Sequence, residues 1–196
     1  MTKVVNLGRR PFQEVHQEML DQLARVHRGE SDGEVWLVEH DPVLTAGRAT
    51  PNEQLRDDMI AIERGGQITY HGPGQLVVYP IVRLPKRDVR SWLRGLETFG
   101  VGVCEQFSLS AAPSVDGTGV FVDGLKLASI GVAIRHWINM HGISFNVAMD
   151  LSVYQGIRPC GLDPSVMSDL SRATGRDVTL EETRQAVETR LPELLG

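Results

Sequence analysis

Lysine is nearly missing from this chain of 196 residues: Lys3, Lys86 and Lys126 are the only ones, and arginine supplies the rest of its 20 basic residues. Net charge is −5 with no basic block, which argues against nucleic acid as a main partner. Cysteine is scarce as well, and Cys104 and Cys160 alone make no disulfide framework. Long apolar runs are lacking; the longest, Leu76 to Val82, contains Tyr79 and Pro80 and is far too short to span a bilayer. Behind Met1-Thr2-Lys3 there is no secretory apolar region, so a cytoplasmic protein with no membrane partner is expected. The remainder is ordinary. Hydrophobic residues make up 41% and charged residues 23%, enough for a sizeable core in one domain over residues 1–196.

Along the chain, a short strand is expected at Val4 to Leu7. An amphipathic helix follows on the stripe Phe12, Val15, Met19, Leu23 and Val26, stopped by Gly29. Glu34 to His40 reads as a strand broken by Asp41-Pro42, and an irregular stretch then leads to a short strand at Met59 to Ile62. A glycine-rich segment, residues 64–75, enters a strand ending at Val82. Asp88 has the character of an N-cap for a second helix facing inward through Val89, Trp92, Leu93, Leu96, Phe99, Val103 and Phe107. Asp123-Gly124 between Gly119–Val122 and Leu125–Ile134 is a hairpin signal, and Trp137 to Val147 adds another strand or two. Asp163-Pro164 is expected to open a helix, and Thr179 with Glu182 forms a capping box for the last one. Helices and strands mix without regular alternation. That pattern predicts an α+β fold with a mixed, mostly antiparallel sheet and flanking helices.

Three features invite chemistry. The glycines of residues 64–75 let backbone N–H groups approach a ligand, with Arg64, Tyr70 and His71 on the rim; two successive turns of a hairpin would read the same way. Cys160, between Pro159 and Gly161, sits at a turn where a partly ionised thiol can act as a nucleophile, whereas Cys104 on a helix reads as structural. Lys126 alternates in phase with Ala128, Ile130, Val132 and Ile134. It therefore points toward apolar neighbours, where its charged form is disfavoured, unless it snorkels to water beside the Asp123-Gly124 turn. His71 and His141, each before a glycine, offer an alternative base for the cysteine. His16, His27, His40 and His136 show no metal-ligand spacing with one another, so no metal is expected.

Taken together, four blocks resemble the octanoyltransferases of lipoate biosynthesis. They are Arg64-Gly65-Gly66-Gln67-Ile68-Thr69-Tyr70-His71-Gly72-Pro73-Gly74-Gln75-Leu76 followed by Tyr79-Pro80, then Lys126-Leu127-Ala128-Ser129-Ile130-Gly131-Val132, then His141-Gly142-Ile143-Ser144-Phe145-Asn146-Val147, then Pro159-Cys160-Gly161-Leu162. Glu39 to Arg48 is similar to the family's early loop, and Val166-Met167-Ser168-Asp169-Leu170 departs from the Thr-Ser pair usual there. The resemblance implies the catalytic fold shared with lipoate and biotin protein ligases. It also implies transfer of an octanoyl group, without a cofactor, from octanoyl-acyl carrier protein to a lysine of lipoyl domains: those of 2-oxoacid dehydrogenase E2 subunits and the glycine cleavage H protein. By the same resemblance Cys160 carries the acyl thioester with Lys126 as its partner. Acyl binding falls on Arg64 to His71, on Ser129, Ile130 and Gly131, and on Gly142, Ile143 and Ser144. Alternatives are an ATP-dependent lipoate or biotin ligase, a non-catalytic module binding carrier protein or lipoyl domains, and a thiol hydrolase. Arg48, Arg64, Arg135 and Arg158 are the candidates for docking an acidic carrier.

Overall fold

Strand β1 (Lys3–Arg10) leads into helix α1 (Phe12–Arg28), then β2 (Glu34–His40), β3 (Val43–Ala46), β4 (Met59–Ala61), β5 (Ile68–His71) and β6 (Gln75–Ile81). Helix α2 (Val89–Glu105) follows, then β7 (Ala112–Pro113), β8 (Gly119–Val122), β9 (Leu125–Arg135), β10 (Ile138–Asn146), α3 (Leu170–Thr174) and α4 (Leu180–Leu195). The computed structural model describes residues 2–114 and 118–195, with Cys160 described by its backbone alone.

Seven strands form one sheet in the order β1-β2-β6-β10-β9-β8-β7, parallel at β1–β2 and antiparallel elsewhere. Side chains alternate across it, so successive residues of β6 supply opposite cores. Val77 and Tyr79 face α1 with Trp36, Val38 and Met140, while Leu76 and Val78 join Ile143, Phe145 and the buried faces of α2 and α4. The result is a helix layer on each side of a mixed sheet, the α+β arrangement expected. A second sheet, β4-β3-β5, carries the glycine-rich segment against β9 and into β6 of the larger one.

Where local chemistry decides, expectation and structure agree. The five-residue stripe of α1 is buried, and Gly29, at φ 76°, caps its last turn. Asp88 accepts hydrogen bonds from the N–H groups of Arg90 and Ser91, and Thr179 and Glu182 make the reciprocal capping box. Asp123 and Gly124, both at positive φ, turn β8 into β9.

Four expectations need correction. β1 runs on to Arg10 because it pairs with the whole of β2. Val89 is exposed rather than inward-facing, since the first turn of α2 projects past the sheet. Val43–Ala46, within the stretch read as irregular, is a strand that pairs with β4 and β5. Pro164 opens only a single 3-10 turn, Pro164–Val166; Met167 is then held alongside Lys126 of β9, so the chain stays extended and helix begins at Leu170.

Candidate active site

A cleft opens between the two sheets, on the α1 side of β9 and β10. It is lined by Arg64, Thr69, His71, Val77, Tyr79, Ser129, Ile130, Gly131, His141, Gly142, Ile143 and Ser144, and is open to solvent at its mouth. Three separate sequence blocks therefore meet in one place. The antiparallel register of β9 and β10 does much of this, because Gly131 lies opposite Gly142, Ile130 opposite Ile143, and Ser129 opposite Ser144. Glycines opposite each other in a ladder leave a furrow where side chains would stand. Val77 and the ring of Tyr79 give it an apolar wall, and each methylene buried there would contribute about 0.8 kcal/mol.

Not every residue of the glycine-rich segment faces the cleft. Arg64 does, but its guanidinium is spent on the backbone: Nη1 donates to the carbonyls of Gly65 (3.0 Å) and Gln67 (2.7 Å), and Nη2 to Thr45 O (2.9 Å) and Oγ1 (2.8 Å). Buried and so engaged, it braces the loop and cannot dock a partner, unlike the exposed Arg48, Arg135 and Arg158. Gly65 donates its N–H to Val132 O (2.9 Å), tying the loop to β9. Ile68 points the other way, into a small cluster with Tyr154, Ile157 and Met167. Tyr70 edges against Tyr154, outside the cleft. The Gln67 amide lies toward Gly161, in the turn that holds Cys160. Gly74, at φ 81°, lets its backbone accept hydrogen bonds from Val147 and Ala148 in close contact with the bend that leaves β10.

Lys126 is 2% exposed, which removes the snorkelling alternative. Its Nζ donates to Thr118 O at 3.3 Å and lies 5.6 Å from the ring centre of Phe121. No carboxylate pairs with it among the ion pairs of the described residues. Its backbone carbonyl accepts from Ser168 N (3.0 Å), so the segment that departs from the family pattern, Val166 to Leu170, is what flanks the lysine strand. The Pro159–Gly161 turn, with Cys160 at its centre, packs on β5. Cys104, by contrast, is a free thiol buried in the α2 core, and burial pushes it up to about 12, out of reach of nucleophilic chemistry.

Gly119 shapes the lysine's pocket. At φ 149°, a Cβ there would stand 2.8 Å from Lys126 Cε and 2.7 Å from Ala128 O. Gly119→Ala is therefore expected to displace Lys126 and lower both turnover and Tm, while Gly124→Ala, where a Cβ meets open space, should lower Tm alone. Equal turnover in the two variants would contradict this packing role.

Behind the cleft lies a row of imidazoles. His40 hydrogen-bonds Arg10 O through Nδ1 (3.0 Å), which leaves Nε2 to accept from the Tyr79 hydroxyl (2.9 Å). His71 Nδ1 donates to Gln75 Oε1 at 2.6 Å, while Gln75 Nε2 bonds Asn146 Oδ1 at 3.0 Å. Burial lowers His40 to about 4 and, with His40 nearby, His71 to about 3, from an ordinary 6.5. Both are held neutral, so the unfolded chain takes up protons before the folded one. Stability should be complete above pH 6.5 and fall as pH drops toward 4, each histidine costing about 1.4 kcal/mol per pH unit. Thermal unfolding between pH 7 and 5 checks this; a flat Tm would contradict it.

His141 departs from the regularity of β10. Its backbone has φ 60°, rare for a residue with a side chain, and its ring stacks on His16 of α1. Glu63 lies between them, its carboxyl held well below the usual range by the facing His141 and by His16. The sequence offers His141 as a base for the cysteine and as the start of a family block, and does not mark Val77, Tyr79 or Glu63 as site residues. Only the period-2 alternation of β6 pointed to Val77 and Tyr79 sharing a face.

Residues 14–191 match the model of the lipoyl protein ligase A/B catalytic domain. The octanoyltransferase of Geobacter metallireducens is 40% identical to this chain, over 97% of it and 92% of the relative. The chain belongs to the octanoyltransferase family. As an octanoyltransferase it is a transferase enzyme, acting in protein lipoylation. Among solved structures it is similar to lipoate-protein ligase A bound with ATP, with a TM-score of 0.79 over 99% of this chain and 85% of that one at 16% identity. The biotin protein ligase of Aquifex aeolicus aligns with a TM-score of 0.55 over 100% of this chain and 69% of that one, at 13% identity. At such identities the likeness to the ligases is one of fold, and it bears out the architecture expected from the sequence. No helix among the described residues is long and apolar enough to cross a membrane.

Proposed function

We propose that this octanoyltransferase takes its acyl group from octanoyl-acyl carrier protein as a thioester on Cys160 and passes it to a lysine of a lipoyl domain, with Lys126 handling the protons. The observation that carries the reading is the meeting of Arg64, Thr69, His71, Ser129, Gly131, Gly142 and Ser144 around one apolar-walled cleft, beside the strand that buries Lys126.

Lys126, as the neutral amine, takes the proton from the Cys160 thiol. The thiolate adds to the thioester carbonyl of the donor, its oxyanion held by backbone N–H groups of the glycine-rich walls. The donor's C–S bond breaks, and its sulfur leaves with the proton from Lys126 as the free thiol. Exchange of one thioester for another is nearly balanced, so this half needs no ATP. In the second half the amine of a lipoyl-domain lysine attacks the Cys160 thioester. A C–N bond forms, the C–S bond breaks, and Lys126 receives the proton shed by the new ammonium. Acyl carrier protein and lipoyl domains are generally acidic, so the exposed Arg48, Arg135 and Arg158 are the docking candidates on a chain of net charge −5.

Mixing the protein with octanoyl-acyl carrier protein and a lipoyl domain, without ATP, should yield an amide-linked octanoyl group on the acceptor lysine. Transfer only from free octanoate with ATP would instead favour an adenylate-forming ligase, and release of free acid alone a hydrolase.

A further inference from the structure

At the back of the cleft stand three side chains to which the octanoyl-transfer reading assigns no role: His16 from α1, Glu63 from the residue before Arg64, and His141 from β10. Glu63 offers Oε2 to His16 Nε2 at 3.1 Å and Oε1 to His141 Nε2 at 3.5 Å, and all three ligand atoms lie within 4.8 Å of one another. Around a tetrahedral zinc ion with bonds of about 2.0–2.2 Å, neighbouring ligand atoms sit roughly 3.3–3.6 Å apart. His141 is 2% exposed, and its Nε2 faces Glu63 Oε1 at 3.5 Å, in ion-pair range but without a hydrogen bond. A buried polar atom so loosely partnered is costly, and so is the φ of 60° that aims this ring. A cation between the three groups would give it a close partner.

We propose that His16 Nε2, the Glu63 carboxylate and His141 Nε2 bind one divalent transition cation of the zinc class. Two imidazoles and one carboxylate suit zinc or cobalt better than magnesium or calcium, which favour all-oxygen shells. Three protein ligands leave a fourth position for water. The site joins a helix, the loop before the glycine-rich segment and a strand through one point. Two of its ligands adjoin the cleft, Glu63 as the neighbour of Arg64 and His141 as part of the lining itself. A bound ion therefore fixes the spacing between the glycine-rich loop and β10. The exposed, stacked pair His27–His136 is the obvious competing place for a metal and supplies the control.

The test uses the full chain stripped with a chelator and titrated with Zn²⁺ and, separately, Co²⁺. One zinc per chain is expected, with a Tm that rises with zinc concentration and visible cobalt absorption of tetrahedral intensity. His16→Ala, which suits a half-exposed helix position, should abolish the cobalt spectrum, and Glu63→Gln should weaken zinc binding at least tenfold. His136→Asn and Cys160→Ser should leave stoichiometry and spectrum unchanged. Far-ultraviolet circular dichroism of each variant confirms that it is folded. Absence of a stoichiometric site in the parent, persistence of the spectrum in folded His16→Ala, or its loss in His136→Asn or Cys160→Ser would each overturn the assignment. Because the readouts are metal content, spectrum and Tm, failure here leaves the octanoyl-transfer reading untouched.

Discussion

Cys160→Ser is expected to reduce octanoyl transfer about a thousandfold or more, which corresponds to roughly 4 kcal/mol of lost transition-state stabilisation. A serine hydroxyl is far harder to ionise than a thiol, and an oxygen ester is a poorer acyl donor to an amine than a thioester. Both halves of the reaction suffer. Cys104 cannot substitute, because it is buried in the α2 core and burial pushes its thiol up to about 12. Cys104→Ala should accordingly leave turnover within a fewfold of the parent and lower Tm through the small cavity it makes. Steady-state transfer assays of the two variants, with Tm measured beside them, separate a chemical role from a packing one. Similar losses of turnover in both would refute the assignment of Cys160.

Lys126→Ala is expected to slow acylation and deacylation by about 10²- to 10⁴-fold each, the range typical of losing a positioned base. The more telling change is Lys126→Arg. It keeps a positive charge and a long stem, but a guanidinium stays protonated and cannot accept the proton of a thiol. If Lys126 is the base, Arg is nearly as inactive as Ala; if it acts only by charge, Arg restores much of the rate. Single-turnover measurement of each half-reaction makes the distinction. Both variants open or crowd a site where Lys126 is 2% exposed, so a fall in Tm is expected alongside and does not by itself account for a rate loss that differs between Ala and Arg.

What could be read from the sequence was what neighbouring residues decide among themselves. The α1 stripe, the Asp88 cap, the Asp123-Gly124 turn and the Thr179–Glu182 box each involve residues within a few positions, and each stands as expected. Val43–Ala46 was not legible as a strand. Its identity depends on pairing Val43 with His71 and Leu44 with Met59, which no local pattern announces. Asp163-Pro164 carried valid helix-start chemistry, and Asp163 does cap Ser165 N, but the bridge between Met167 and Lys126 overrides propagation.

The site divides along the same line. Resemblance of the four blocks named the residues, and the β9–β10 register explains physically why two of the blocks face each other. Arg64 was expected on the rim as a ligand for substrate or carrier. Its role as a brace depends on carbonyls of Thr45 and Gln67 that only the small sheet brings near. The His16–Glu63–His141 group comes from a helix, a loop and a strand, so no spacing in the chain could signal it.

The central claim is that the octanoyl group rests covalently on Cys160. Intact-mass measurement after brief mixing with octanoyl-acyl carrier protein, without ATP or acceptor, tests it most directly. A gain of one octanoyl group is expected, removed by hydroxylamine, chased onto an added lipoyl domain, and missing in Cys160→Ala. An adduct that survives in Cys160→Ala, or transfer to the lipoyl domain at full rate by a protein that never gains the mass, would contradict it.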